Sequence, residues 1–326
     1  MRVESAIPLG RRVVNRVVDF LHQLYVSIVI FTSTGQGKVG FGLTVFVVAL
    51  AIAAPLFPYP GPKWSNVALQ FIPPSTKPSL WYILGTDYLG IPLLLDIIWG
   101  LRYFLEIGAI AGILQVAIGT FLGLLAGYLG GFTDKALNFT FNLLLTIPTF
   151  ALWLILAVIF RSGNPVILGF ILGILSWAGL ARSIRAAALS AKNRDYVEAS
   201  RLLGLNSLSI IANDIMPALM PWIAINIMLS INGGFYGAMG LAFLGIVPYT
   251  NINWGAILGN AFYQEAAIFT ATGTIPAVII TVVSIIVLMG FVMFANALGN
   301  VFDPRLRREI EVKLAMTQRS NLNTTR

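Results

Sequence analysis

The sequence predicts an all-α integral membrane protein with six transmembrane helices, and three observations carry that prediction. First, its 326 residues are 57% hydrophobic and 10% charged, with a mean hydropathy of +0.84, where a soluble domain carries roughly 25% charged residues. A water-soluble fold of this length could not bury so much apolar surface, so part of its solvent must be lipid. Second, the apolar residues are gathered into runs long enough to cross about 30 Å of hydrocarbon. Third, 17 of the 21 Lys and Arg residues fall on one side of a six-span threading. That is the bias that orients helices with their positive loops inside the cell.

Residues 1–38 read as a cytoplasmic N-terminal segment bearing Arg2, Arg11, Arg12, Arg16 and Lys38. Residues 13–31 are apolar but broken by Arg16, Asp19, His22 and Gln23, which suits an amphipathic helix lying on the membrane surface. No removable signal peptide is expected, because no short apolar core with a cleavage site opens the chain. Residues 39–57 form the first span, closed by Pro55, Pro58 and Pro60. An extracytoplasmic segment, 58–103, follows. Residues 93–101 within it carry Asp96 and read as a separate interfacial helix.

The second span, 104–129, repeats glycine every four residues at Gly108 and Gly112, then at Gly119, Gly123 and Gly127. Small residues at that spacing let helix backbones approach closely in lipid. The third span, 136–160, should kink at Pro148, which removes a backbone donor. The fourth is 165–181, extended inward by Arg182 and Arg185, and the fifth is 218–247, with Asn226 and Asn232. A short apolar segment at 254–262 precedes the sixth span, 275–301. A cytoplasmic tail, 302–326, ends the chain.

Several function classes are excluded by what the sequence lacks. A net charge of +8 could draw nucleic acid, but no basic face interleaved with aromatic residues occurs. There are no cysteines, hence no disulfides, thiolate metal sites or cysteine nucleophiles. Gly37-Lys38 lacks the earlier glycine and the following Ser or Thr of a phosphate-binding loop. No HExxH, GxSxG or paired intramembrane carboxylates are present, so neither a membrane protease nor an ion-coupled carrier is favoured. Energy must then come from a partner.

One stretch does not belong in lipid. Residues 195–217, DYVEASRLLGLNSLSIIANDIMP, are charged and amphipathic between apolar runs. Asp195 and Glu198 have the spacing of a helix-capping pair. Tyr196, Ala199 and Leu202 then share a face, and Gly204 suits a left-handed helix end. A second helix should run from about Asn206 to Met216, with Pro217 breaking it before the chain re-enters the membrane. Local pattern alone fits any cytoplasmic loop of two surface helices equally well.

This stretch resembles the EAA loop of membrane subunits of ABC importers, and the wider chain resembles the second permease subunit of the oligopeptide/dipeptide importers. Six segments carry the likeness in order: GTDYLG (85–90), LAGYLGGFTDKALN (125–138), TIPTF (146–150), DYVEASRLLG (195–204), GLAFLGIVPYTNINWGAIL (240–258) and FDPRLR (302–307). Ile91-Pro92 stands where the family usually has Arg-Asp, and Ser200 replaces the second alanine of the EAA core.

The resemblance implies the type I ABC importer permease fold with a cytoplasmic coupling loop at 182–220. It further implies a heterodimer with a homologous permease, two cytoplasmic ATPases and an extracytoplasmic solute-binding protein. ATP and Mg would be bound by the ATPases and no cofactor by this chain. Tyr196, Glu198, Ala199, Ser200 and Gly204 would meet the ATPase, with Pro217 setting the helix break. Asn226 and Asn232 are candidates to line the path, although hydrogen bonds between packed helices explain them more readily. The solute implied is a peptide, with oligosaccharides and nickel chelates as alternatives in the same family.

Overall fold

The computed structural model describes residues 28–301, apart from 62, 76–78, 248–253 and 264–270, together with 312 and 316. The N-terminal surface helix lies largely outside the described residues, as do the tail and parts of the connection before the last span. What is described is helical, without strands beyond a single bridge between Thr86 and Pro92. Among the described residues, five helices are long and apolar enough to span a membrane, and a bent pair makes a sixth.

Helix α1, Gly35–Ala53, starts where Thr34 accepts a hydrogen bond from the Gly37 amide at 3.1 Å. It closes in a 3-10 turn, Ala54–Leu56, containing Pro55. Helix α2, Leu93–Leu129, is one continuous rod of 37 residues, about 55 Å long. The expected division between an interfacial helix at 93–101 and a span from 104 is therefore wrong. No proline or glycine pair interrupts the stretch, Asp96 sits in the first turn where the helix dipole favours an acid, and Arg102 pairs with Glu106 one turn on at 3.0 Å. These charges occupy one end of a long helix; they do not break it.

Gly130 and Gly131 have φ of +70° and +58°, a reversal that side chains with a Cβ resist, and the chain turns there into helix α3, Gly131–Thr146. Helix α4, Thr149–Phe160, follows after a break at Ile147-Pro148, bent by 77°. The kink expected at Pro148 is thus a full interruption. Ile147 is held extended (φ −92°, ψ 127°), as the ring of the next residue requires. Helix α5, Pro165–Ala191, runs through Arg182 and Arg185 without pause.

Residues Asp195–Leu202 form α6, and Ser207–Ile210 form α7. A π turn, Ile211–Ile215, then leads directly into α8, Met216–Phe243. Helices α9, Trp254–Tyr263, and α10, Ala271–Val301, complete the chain.

Helix α2 is the axis of the bundle, and its glycines explain why. Gly119, Gly123 and Gly127 face α5: a Cβ on Gly123 would lie 2.6 Å from the Ala181 carbonyl oxygen, and one on Gly127 2.7 Å from that of Arg185. Gly108 and Gly112 face α8 instead, where a Cβ on Gly112 would lie 2.6 Å from the Ile231 amide nitrogen. Two offset glycine rows thus seat two neighbours at backbone distance. Toward one end, Phe104, Phe235 and Trp254 cluster with ring centroids 5.5 to 6.2 Å apart. The Trp254 indole donates to the Asp96 carbonyl oxygen at 2.9 Å, which ties α9 to the start of α2.

At that same end, Asp87 organises the turn before α2. Its Oδ1 accepts from the amides of Leu89 (2.9 Å) and Ile91 (2.8 Å). Burial pushes its carboxyl up to about 6, against the pull of those backbone donors. The folded turn therefore holds a proton more readily than the unfolded chain. This contribution to stability is present below the ordinary value of 3.8 and is lost as pH rises through about 6. Asp87→Asn keeps the Oδ1 acceptor and removes the charge. It should raise stability above wild type by about 3 kcal/mol at neutral pH and little near pH 4, measured as paired melting curves across that range. Parallel curves at every pH would overturn this.

Candidate coupling loop

The loop between α5 and α8 is a compact two-helix unit lodged against the ends of α2 and α5. Its inner face is apolar: Val197, Ile210 and Ile215 are fully buried and cluster with Ile184, Ala188 and Tyr128. Its outer face is also rich in apolar groups, but these are open. Leu202 and Leu203 are 82% and 80% exposed, and Leu205 and Leu208 lie beside them in the open. A unit that already buries one apolar face and displays another has the form of an interface.

Helix α6 begins differently from the expectation. Asp195 is not its cap; Arg194 holds the extended conformation at that position, without a side-chain hydrogen bond, and Asp195 is already helical. Glu198 does not reach back to the start. It bridges forward to Arg201 at 2.9 Å. Both acids still lie in the first turn, where the helix dipole favours them. Tyr196, Glu198 and Ala199 are exposed, as is Leu202, so the predicted face points outward.

Helix α6 ends as the sequence predicts. Gly204 has a φ of +76°. The Leu205 amide reaches back to the Ser200 carbonyl at 3.2 Å, and the Gly204 amide to that of Arg201 at 3.0 Å, the paired closure of a glycine-terminated helix. Ser200 itself is half-buried. Asn206 then caps α7, its Oδ1 accepting from the Ser209 amide at 2.7 Å.

Pro217 sets no helix break. It lies in the first turn of α8, and α7, the π turn and α8 run on as a single helical rod, Ser207–Phe243. A proline ring normally collides with the carbonyl one turn earlier. Here that turn is the widened π turn Ile211–Ile215, in which the Met216 amide bonds five residues back to Ile211, so the helix continues past the ring.

The structure adds partners that sequence reading missed. Tyr128, at the end of α2, lies under two cations, Lys192 at 5.6 Å and Arg201 at 5.9 Å from the ring centroid. Asp134 of α3 is held by a two-pronged pair with Arg185 of α5, the second contact measuring 2.6 Å. Tyr128, Asp134 and Arg201 lie within two of the six segments that carry the family likeness, Lys192 and Arg185 within none, and nothing linear brings Tyr128 and Arg201 together. Of the two path candidates, Asn226 lines a polar cavity between α2, α4, α5 and α8, its amide nitrogen donating to the Trp222 carbonyl at 2.8 Å. Asn232 does not line that cavity. It is buried, and its Oδ1 has no hydrogen-bond partner among the described residues.

Residues 119–308, more than half of the chain, match the family model for the binding-protein-dependent transport system inner membrane component. The chain belongs to that family. The matched region begins within α2 and includes the whole two-helix loop. Among its relatives, this permease is 28% identical over 283 residues to the oligopeptide transport system permease protein OppC of Bacillus subtilis, covering 85% of this chain and 88% of that one. It is 30% identical over 227 residues to OppC of Haemophilus influenzae, covering 68% and 70%. The dipeptide transport system permease protein DppC of Lactococcus lactis is 30% identical over 231 residues, covering 69% and 64%.

Proposed function

We propose that this permease imports peptides delivered by an extracytoplasmic binding protein, driven by two ATPase subunits that dock on its α6–α7 unit. The observation that carries this is the open apolar surface around Gly204, formed by Leu202, Leu203, Leu205 and Leu208 on a unit whose opposite face is buried. Exposed apolar patches of this kind mark partner surfaces. The relatives' names support a peptide as the solute, and the distribution of Lys and Arg supports a cytoplasmic position for this unit. A homologous permease completes the channel as a heterodimer.

The mechanism is alternating access. Closure of the ATPase pair displaces α6 and α7. Tyr128, Lys192 and Arg201 link that displacement to the end of α2, and the continuous rod of α7 and α8 carries it along the bundle. The glycine seams of α2 keep α5 and α8 moving as one body with it, so the bundle rocks and does not deform.

The purified chain should hydrolyse no ATP above background. Co-expressed with the partner permease and ATPases of its own transport system, it should retain the ATPases through purification and support peptide-stimulated hydrolysis. ATP turnover by this polypeptide alone, or failure to retain either ATPase, would overturn the reading.

A further inference from the structure

Between them, α2, α4, α5 and α8 line a half-open cavity of about 330 Å³, at the small end of the range for ligand pockets. Its walls are unusual for helices of this composition. Gln115, Thr149 and Ser230 are among the lining residues, and their side chains make no hydrogen bond to another described residue. Trp153 also lines the space, and its indole nitrogen is itself buried, without a hydrogen-bond partner among the described residues. Asn226 gives one amide N–H to the Trp222 carbonyl, which leaves its second N–H as a donor and its oxygen as an acceptor. Among the described residues, no charged side chain lines the space.

Unpartnered polar groups inside membrane helices are costly, and they persist where the helices face a water-filled path or a ligand. Several of them converging on one cavity describe a site that offers both donors and acceptors and no charge. Such a site fits a neutral group that hydrogen-bonds in both senses. The amide of a peptide main chain is that group, since it carries one donor and one acceptor at every residue. A charged side chain would find no counter-ion here.

We propose that this cavity is a solute subsite on the translocation path that engages main-chain amides, and is therefore indifferent to the charge of the peptide's side chains. This rests on the reading of the chain as a peptide permease. It extends that reading by naming what part of the solute is held, and by which residues of this subunit.

Gly233 offers a clean test. It lines the cavity, and a Cβ built on it meets nothing within 4 Å, so a larger side chain would project into the space without displacing a helix. Its neighbour Gly234 is different, because a Cβ there would lie 2.8 Å from Ala111. The assembled transporter in proteoliposomes, with its binding protein and ATP, should import a neutral peptide and its lysine- and glutamate-containing analogues. Gly233→Leu should lower uptake of all three by a similar factor, about tenfold or more, while melting temperature and ATPase retention stay at wild-type values.

Gln115→Leu should act in the same direction. An analogue with N-methylated main-chain amides, still bound by the binding protein, should be imported poorly by wild type. Unchanged uptake in Gly233→Leu, or a loss confined to one charge class, would overturn the subsite. Selective loss of oligosaccharide uptake in its place would assign the cavity to sugar hydroxyls and overturn the amide assignment. Failure of the wild-type assembly to import any peptide would instead overturn the proposed function.

Discussion

Gly123→Leu should fail to give a stable folded permease. Gly123 stands at the centre of the seam between α2 and α5, where even a methyl group would lie 2.6 Å from the Ala181 carbonyl oxygen and 2.8 Å from the Ile184 Cβ. The obstacle is backbone on a continuous helix, so no rotamer change relieves it and the helices must separate. Helices in lipid gain nothing from excluding water and are held by close packing. Over-packing typically costs about 1–3 kcal/mol, and a clash with main chain should lie at or above the top of that range.

The matched control is Gly42→Leu on α1, an exposed position where a Cβ meets nothing within 4 Å. Membrane yield, detergent melting temperature and chromatographic dispersity should collapse for Gly123→Leu and stay near wild type for Gly42→Leu. Equal behaviour of the two variants would mean that the α2–α5 seam does not hold the bundle together.

Gly204→Val should leave the permease folded and abolish most transport. Gly204 closes α6 with a φ of +76°, and nothing lies within 4 Å of a Cβ placed there. The substitution therefore introduces no clash, and its whole effect is backbone strain. For an L-residue that strain is about 1–2 kcal/mol and more for a β-branched one. The end of α6 relieves it by leaving the left-handed conformation, which breaks the amide bonds of Gly204 and Leu205 and reorients Leu202, Leu203 and Leu205.

A strain of this size shifts the population with the correct surface by roughly tenfold, and uptake should fall by about that factor or more. The binding protein should keep its affinity for solute. Asparagine tolerates the left-handed region, so Gly204→Asn should restore most of the uptake. Uptake at wild-type level in Gly204→Val, with the ATPases still bound, would show that the α6–α7 unit is an ordinary surface loop.

Composition and linear pattern were enough to settle the fold class and the number of apolar runs, because lipid imposes a minimum apolar length that is visible residue by residue. They were also enough for the glycine rows of α2, a bend at Pro148 (though not the full break it makes) and the left-handed end at Gly204, since each depends on the chemistry of one residue or one helix face. The errors have a shared cause. An acid and a proline are locally unfavourable in a span, so in the sequence Asp96 and Pro217 suggest breaks, yet each lies in the first turn of a helix that simply runs on. Asp195 was read as a cap from spacing alone, while the neighbouring Arg194 takes the extended conformation.

Which glycine row meets which helix was beyond the sequence, since every such contact joins residues far apart in the chain. The same holds for the two cations over Tyr128 and for the pairing of Asp134 with Arg185. The polar cavity was least legible of all. Gln115, Trp153 and Ser230 lie on three separate helices, and nothing in their own surroundings distinguishes them from packing residues. Only the packing of α2, α4 and α8 brings them to one space and leaves their hydrogen-bonding groups without partners. A single helix reports its own periodicity, but which polar groups stay unsatisfied is a property of all the neighbours at once.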